Sequence, residues 1–424
     1  MRKIICTIMF IVLFVVIGIN VCHNNSEVQA EDNLYLKLND KCDNLSENFK
    51  SNQREANVIM DRFFKSLVSK NGFSCDDNVY TVNGMYAEDY PLFFAGAYIN
   101  VDGNLVLQIT EDYYSQGYKD SDWYSEFVEV AGSENFYCHP VKHSYSELIN
   151  AISDIFMGNK HKELAEAGIK ITGAGINDYK NLIDVYVKTQ EDYENIIGEI
   201  KSELYSITVL DGTIKDCVGL YPGGGATQYS TGDCRFSVAC RVRKNLPYGG
   251  HTDGFLTCAH VFSGTSDVYI KTGNQYNTLI GTSYSSWQKY TSTADVAFIE
   301  TNDNTTLYNT VFMNTTILNP AYSTTMGSVV YKRGDASGTT HGTIINSSYG
   351  YTDSSGFNYS DLVWTQAGAI GGDSGGIVYS EPDATGYADC LGIVKGSIVG
   401  SLVFTKMYND LGVLQSGPIY FSLY

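Results

Sequence analysis

The sequence predicts an α+β region followed by an all-β half that folds as a barrel or a sandwich. From residue 218 onward, short apolar or alternating runs are separated by clusters of Gly, Asn, Ser and Thr, which is typical of many short strands joined by turns. Before that point, helical patterns alternate with strand pairs. The net charge also changes at this point: residues 31–217 carry −16 and residues 218–424 carry −4. A chain of 424 residues suits two or three domains.

Residues 1–30 have the pattern of a secretory signal peptide. Arg2 and Lys3 precede an apolar run from Ile4 to Ile19, and Val28–Ala30 is a candidate cleavage site. The run is shorter than the ~20 residues that span a bilayer comfortably. We therefore expect a secreted protein with no stable membrane insertion after signal cleavage. An uncleaved membrane anchor is the alternative.

Residues 31–217 form the predicted acidic α+β region. Two strand–turn–strand–helix patterns of similar plan occur in it, so two small modules at about 78–160 and 165–215 are a further interpretation. The predicted elements are a helix over Asp32–Lys70, a hairpin over Leu92–Ile109, a helix that starts at Ser144, strands at Ile169–Thr172 and Leu182–Val187, and a helix over Gln190–Leu204.

Three motifs in the all-β half point to nucleophilic catalysis. Ser374 lies in the glycine-rich segment Gly371–Gly376, where backbone N–H groups could approach a reacting oxygen closely. His260 follows an apolar run, and Asp295 precedes another. A serine hydroxyl needs a base such as histidine, which in turn needs a carboxylate to orient it. The chain order His, Asp, Ser is that of one group of serine hydrolases.

These motifs resemble those of the chymotrypsin-like serine proteases, and within them the bacterial α-lytic protease/streptogrisin branch. The resemblance covers about residues 221–424 and includes the segments Tyr221–Gly225 and Val330–Gly338. It implies that residues 218–424 form two six-stranded β-barrels with the active site between them. It also implies that residues 31–217 are a pro-region that assists folding and inhibits the enzyme until it is cleaved.

The resemblance assigns a role to each residue around the nucleophile. Ser374 is the expected nucleophile, His260 the general base and acid, and Asp295 the group that orients the imidazole. The N–H groups of Gly372 and Ser374 are the expected oxyanion-hole donors. Asp373 needs a cationic partner, because an unpaired buried charge is costly, and the candidates are Lys332 and Arg333.

The residues of the specificity pocket follow from the same resemblance. Gly368 and Ala369 fall near the expected pocket floor, which would favour apolar side chains of medium or large size. The pocket wall is expected from the segment that includes Lys395 and Ser397. Many relatives have, at the position of Lys395, a serine that braces the catalytic aspartate. A lysine there either biases the enzyme toward acidic substrates or points away from the pocket.

Export of the chain would permit disulfides, and the cysteine spacing argues against a zinc site. No C-x-x-C pair occurs among the ten cysteines, so no zinc site is predicted. The resemblance implies a disulfide near the catalytic histidine. Cys234 lies where one partner belongs, but Val261 occupies the usual place of the other, which leaves Cys258 as the candidate and Cys240 as its competitor.

The sequence therefore predicts a secreted serine endopeptidase that is made as a zymogen. Its expected partners are protein or peptide substrates and its own pro-region, acting as chaperone and inhibitor. No metal or organic cofactor is expected, and the absence of a basic stripe argues against nucleic acid. One alternative is a catalytically silent protease fold used for binding. The other is an active protease whose N-terminal region is a retained binding module.

Overall fold

The computed structural model describes residues 45–74, 79–115, 117–200, 203–210, 215–216, 226–227, 235–272, 275–302, 310–311, 315–352 and 356–424. The expected signal peptide, Cys234 and the junction around residue 218 lie outside these ranges. Residues 46–424 form one compact unit. Within the described part of the chain, no helix is both long and apolar enough to cross a membrane.

Helices are concentrated in the first half of the described chain. Four of them begin at a residue whose side-chain oxygen accepts from a backbone N–H. The Ser144 hydroxyl, for example, accepts a hydrogen bond from the Glu147 N–H, as expected for an N-cap. The helices are α1 Glu47–Asn71, α2 Glu111–Ser115, α3 Asp122–Ala131, α4 Tyr145–Phe156, α5 Asn159–Glu166, α6 Gln190–Glu199 and, near the C-terminus, α7 Met407–Leu414.

Six of the strands described in the α+β region form two units with the same plan. In each unit an antiparallel hairpin is followed by a third strand that pairs in parallel with the second. These strands are β1 Phe94–Ile99, β2 Leu105–Thr110, β3 Phe136–Val141, β4 Ile171–Asn177, β5 Leu182–Val187 and β6 Tyr205–Val209. Helix α1 packs along the first unit, where Phe63 contacts the rings of Phe94 and Phe127.

A path of eight strands forms the first sheet of the all-β half. Its order is β23-β10-β11-β14-β13-β12-β8-β9, and its apolar side chains form one buried cluster around Val242, Leu256 and Phe298. The strands are β8 Ala226–Thr227, β9 Arg235–Phe236, β10 Arg241–Asn245, β11 His251–Thr257, β12 Ser266–Thr272, β13 Gln275–Tyr290, β14 Asp295–Thr301 and β23 Tyr420–Leu423.

The second sheet closes into a six-stranded barrel. Antiparallel pairings run from β17 to β18, β19, β22, β21, β20 and back to β17, so the six strands form a closed ring. The strands of this half are β15 Thr310–Val311, β16 Thr315–Pro320, β17 Val329–Gly334, β18 Gly338–Thr352, β19 Asn358–Gly368, β20 Ile377–Ser380, β21 Tyr387–Ile398 and β22 Ser401–Lys406. The predicted double β-barrel behind an α+β region is therefore confirmed.

The α+β region extends the second barrel in two places. Strand β4 pairs with β18, with Gly173 opposite Tyr351 and Gly175 opposite Tyr349. A two-residue strand, β7 Lys215–Asp216, pairs antiparallel with β21 at Gly396 and Ser397. Backbone pairing therefore connects the two halves of the chain, and the second contact lies beside the candidate site.

Candidate active site

The three motif residues meet between the two sheets. His260 follows β11, Asp295 is the first residue of β14, and these strands are hydrogen-bonded neighbours. Ser374 lies in the turn between β19 and β20 of the second barrel. His260 Nδ1 is 2.5 Å from Asp295 Oδ2, and His260 Nε2 is 3.1 Å from Ser374 Oγ. The contacts are those of a nucleophile, a base and an orienting carboxylate.

Asp295 is held by four donors. Its Oδ1 accepts from the N–H groups of Ala259 (2.7 Å) and His260 (2.9 Å). Its Oδ2 faces His260 Nδ1 and lies 3.2 Å from the Lys395 ammonium. Burial would raise the pKa of Asp295, but attraction to His260 and Lys395 outweighs burial and lowers that pKa. Asp295 is therefore an ionised acceptor at neutral pH.

The same attraction acts on His260. Burial alone would lower the pKa of the imidazole, but the Asp295 carboxylate and the Cys258 thiol raise it above its ordinary value. The His260 side chain is only 6% exposed and that of Asp295 is fully buried. Electrostatic interactions are strong in such a site because little water screens them.

The turn that carries Ser374 depends on its glycines. Gly372 and Gly375 have φ values of +98° and +80°, which side chains with a Cβ rarely adopt. A Cβ at Gly375 would lie 2.0 Å from Thr257 Oγ1. Among the described backbone hydrogen bonds, neither Gly372 N–H nor Ser374 N–H is a donor. Their assignment as oxyanion-hole donors stays a prediction.

Lys332, rather than Arg333, contacts Asp373. The Lys332 ammonium lies 3.0 Å from Asp373 Oδ2, and both side chains are fully buried. Asp373 also accepts from the N–H groups of Ser337 and Ile370. Burial would raise the pKa of Asp373, but Lys332 and these donors lower it. Arg333 instead donates to the exposed Thr339 hydroxyl at 3.3 Å.

Two buried side chains outside the three motifs hold the nucleophile turn. The Ser237 hydroxyl donates to the Gly372 carbonyl at 2.8 Å, and the Ser237 N–H donates to the Ser374 carbonyl at 2.7 Å. Thr257 Oγ1 donates to the Ser237 carbonyl at 2.7 Å. Sequence reasoning missed both residues, because one serine and one threonine carry no signal of a long-range contact.

The expected pocket residues have different surroundings. The Gly368 carbonyl accepts from Thr340 Oγ1 at 2.7 Å, and the Ala369 N–H donates to the Gly400 carbonyl. Ser397 pairs with β22 on one side and with β7 on the other. The Lys395 ammonium lies 3.2 Å from Asp295 Oδ2, and the place of Lys395 in the pocket wall stays a prediction.

Cys258 is a free, buried thiol in the structure. Its Sγ lies 3.8 Å from His260 Nε2. The other candidate for the expected disulfide, Cys234, lies outside the described residues, and Cys240 is also a free thiol. Within the described residues, no group of three or more His, Cys, Asp or Glu side chains could hold a metal ion.

Comparison with known families and structures bears on both halves of the chain. Residues 41–141 match the model of the Pro-like N-terminal domain. No curated protein shows significant sequence similarity to the chain.

Solved structures similar to this chain include a glutamic-acid-specific serine protease described as using a histidine triad in substrate binding. It is 21% identical over 47% of this chain and 98% of its own, with a TM-score of 0.36. A Nocardiopsis protease is 22% identical over 48% and 98% of the two chains, and Thermobifida fusca protease A is 20% identical over 48% and 99%, each with a TM-score of 0.36. In its strand pairings and its three motifs, the second half of the chain resembles the chymotrypsin-like serine proteases of the α-lytic protease/streptogrisin branch. The half before it resembles a pro-region.

Proposed function

We propose that this chain is a secreted serine endopeptidase that is made as an inactive precursor. The observation that carries the proposal is the hydrogen-bonded series from Asp295 through His260 to Ser374. In that series a neutral hydroxyl has a base within reach, and the base has a carboxylate that selects its tautomer. A silent binding fold has no need of this arrangement.

The proposed reaction begins when Ser374 Oγ attacks the carbonyl carbon of a peptide bond and His260 Nε2 takes the hydroxyl proton. Asp295 stabilises the imidazolium. The N–H groups of Gly372 and Ser374 stabilise the oxyanion of the tetrahedral intermediate, a contribution of about 3–4 kcal/mol per donor in comparable sites.

The intermediate collapses when the C–N bond breaks and His260 returns its proton to the leaving amine. An acyl-enzyme on Ser374 remains. A water molecule, deprotonated by His260, then attacks the ester and releases the acid product with the serine restored. Every step uses side chains, backbone N–H groups and water, so the proposal includes no metal or organic cofactor.

Strand β7 supports a substrate-like role for the end of the α+β region. Lys215 and Asp216 add an antiparallel strand to Gly396 and Ser397, one residue beyond Lys395, whose carbonyl lies 3.5 Å from Ser374 Oγ. Extended peptides commonly bind by adding a strand in this way. We infer that a peptide substrate uses the same edge, that β7 blocks it in the precursor, and that residues 31–217 are the pro-region.

Labelling with a fluorophosphonate probe tests the proposal. We expect the secreted protein to carry one label, on a fragment of the catalytic half that starts near residue 218, as read by intact mass and N-terminal sequencing. Labelling of the full-length chain would retain the activity but contradict removal of the pro-region, and would favour a retained binding module. A folded protein that takes no label would favour the silent binding fold.

The pairing of β4 with β18 predicts that Gly173→Ala weakens the contact between the pro-region and the second barrel. A Cβ at Gly173 would lie 2.2 Å from the Tyr349 hydroxyl and 2.9 Å from the Gly350 carbonyl. Fitting an added methyl group into such a packed position typically lowers the unfolding free energy by about 1–3 kcal/mol, because neighbouring groups must shift. We expect a loss of that size in the unfolding free energy of the full chain, measured by urea denaturation in a Ser374→Ala background. Gly198→Ala is the matched control, because nothing lies within 4 Å of its Cβ position. Equal losses for the two variants would contradict the prediction.

A further inference from the structure

Lys395 is a buried lysine in direct contact with the triad carboxylate. Its side chain is 1% exposed, and its ammonium lies 3.2 Å from Asp295 Oδ2. The ammonium also lies over the rings of Tyr290 and Tyr359, at 5.3 and 5.0 Å from their centroids. An ammonium removed from water needs a counter-charge and aromatic faces such as these.

The effect of Lys395 on His260 and Asp295 depends on the other titratable and charged groups around them. Asp410, on α7, is a second buried carboxyl group; it accepts from the Thr405 hydroxyl at 2.8 Å. Burial raises the pKa of Asp410 well above its ordinary range, and the ion pair described for Lys395 is the one with Asp295. In the described part of the chain, the groups beside His260 and Asp295 include Cys258 after β11, Ser374 in its turn, Lys395 on β21 and Asp410 on α7. The rings of Tyr290 on β13 and Tyr359 on β19 lie against the Lys395 ammonium.

His260 and Lys395 use the same oxygen of Asp295. Both His260 Nδ1 and the Lys395 ammonium lie within 3.2 Å of Oδ2, whereas Oδ1 is occupied by two backbone N–H groups. The attraction of Asp295 for a protonated imidazole is therefore opposed by a second cation at the same atom.

We propose that Lys395 is a positioning residue of the proposed protease site, whose ammonium fixes the Asp295 carboxylate and weakens its hold on the proton of His260. The inference rests on the proposed function and adds regulation of its working pH. The sign follows from the charges. Asp295 favours protonated His260 and Lys395 disfavours it, so His260 becomes the neutral base at a lower pH than it would beside a carboxylate without a lysine.

Neutral replacements at position 395 test this role. In Lys395→Met and Lys395→Ser we expect the acid limb of the kcat/KM profile of the secreted protein to move upward by about one pH unit or more, the usual effect of a charge at this range. Activity at pH 6 then falls about ten-fold for each pH unit by which the limb moves, and it recovers at alkaline pH. Lys395→Arg keeps the charge, so its acid limb is expected within about half a pH unit of wild type.

A second readout does not depend on activity. The pKa of His260 is measured by ¹⁵N NMR of the histidine-labelled full chain in a Ser374→Ala background, with and without Lys395→Met. The same upward change is expected. An unchanged or lower pKa in the folded variant overturns the inference, as does a loss of activity at all pH values with an unmoved acid limb, because that result indicates a structural role alone.

Two further outcomes separate this inference from the proposed function. An upward change of the His260 pKa in a protein whose wild-type form cleaves nothing and takes no fluorophosphonate label contradicts the protease proposal and supports the electrostatic role of Lys395. If the neutral variants do not fold, ¹⁵N NMR of the lysine-labelled full chain with Lys395 intact still tests the inference. The inference requires that Lys395 remains an ammonium over the pH range in which His260 titrates. A neutral amine in that pH range overturns the inference.

Discussion

Ser374→Ala is expected to lower the kcat for peptide hydrolysis by about 10⁴- to 10⁶-fold. The substitution removes the oxygen beside His260 Nε2 that the proposed reaction uses as nucleophile. Oxyanion donors and substrate binding remain, so a small residual rate is expected. Hydrolysis of a chromogenic peptide with an apolar residue before the scissile bond measures the loss, and fluorophosphonate labelling is expected to disappear with it.

The matched control for this prediction is Ser416→Ala. Ser416 is an exposed residue near the C-terminus, and we expect its rate to stay within about two-fold of wild type, as for most surface substitutions. The Ser374→Ala chain is also expected to accumulate as an uncleaved precursor if maturation is autocatalytic. Retention of more than about a hundredth of the wild-type rate in a folded Ser374→Ala protein contradicts the assignment of the nucleophile.

Lys332→Met is expected to lower the unfolding free energy of the full chain by about 3–5 kcal/mol at neutral pH, the usual effect of leaving a buried carboxylate without its cation. Lys332 and Asp373 are both fully buried and 3.0 Å apart, and Asp373 directly precedes Ser374. The nucleophile turn is therefore expected to lose its order, and peptidase activity with it. Urea denaturation measures the stability, and fluorophosphonate labelling measures the turn.

The effect of Lys332→Met depends on pH with a definite sign. The pKa of Asp373 is lowered in the folded protein, so its stabilisation is present above the ordinary pKa of aspartate, about 4, and is lost as pH falls through the lower folded value. Without Lys332, burial raises that pKa, so the loss is expected to shrink toward pH ~4. Arg333→Met, on the same hairpin but only half-buried and away from Asp373, is expected to change stability by less than about 1 kcal/mol. Equal losses for the two variants, or a loss that does not depend on pH, would contradict the role of the ion pair.

Local patterns in the sequence predicted most elements, with errors at their ends. The hairpin over Leu92–Ile109 and the helix capped by Ser144 are present, because turn residues and caps act over a few residues. The predicted helix Gln190–Leu204 ends at Glu199, since the chain turns there to place β6 beside β5. The predicted strand Ile169–Thr172 begins at Ile171 and extends to Asn177. Its pairing with β18 adds residues that the local pattern did not include.

The sequence likewise predicted some features of the candidate site and not others. Its three motif residues could be named from sequence because each stands in a short segment with its own chemistry, and the structure brings those segments together. The choice of Lys332 over Arg333 as the partner of Asp373 could not be predicted from the sequence. Adjacent residues of a strand point to opposite faces, and only the packing decides which face is buried.

By itself, the sequence determined the two-part organisation, the all-β character of the second half and the order of the three motif residues. Each depends on composition or on spacing within a short segment. The tertiary structure alone decided that β4 and β7 join the second barrel, that Ser237 holds the nucleophile turn, and that the Lys395 ammonium contacts Asp295. These contacts join residues far apart in the chain, and they depend on strand register and on the burial of charge, which act only after the chain has folded.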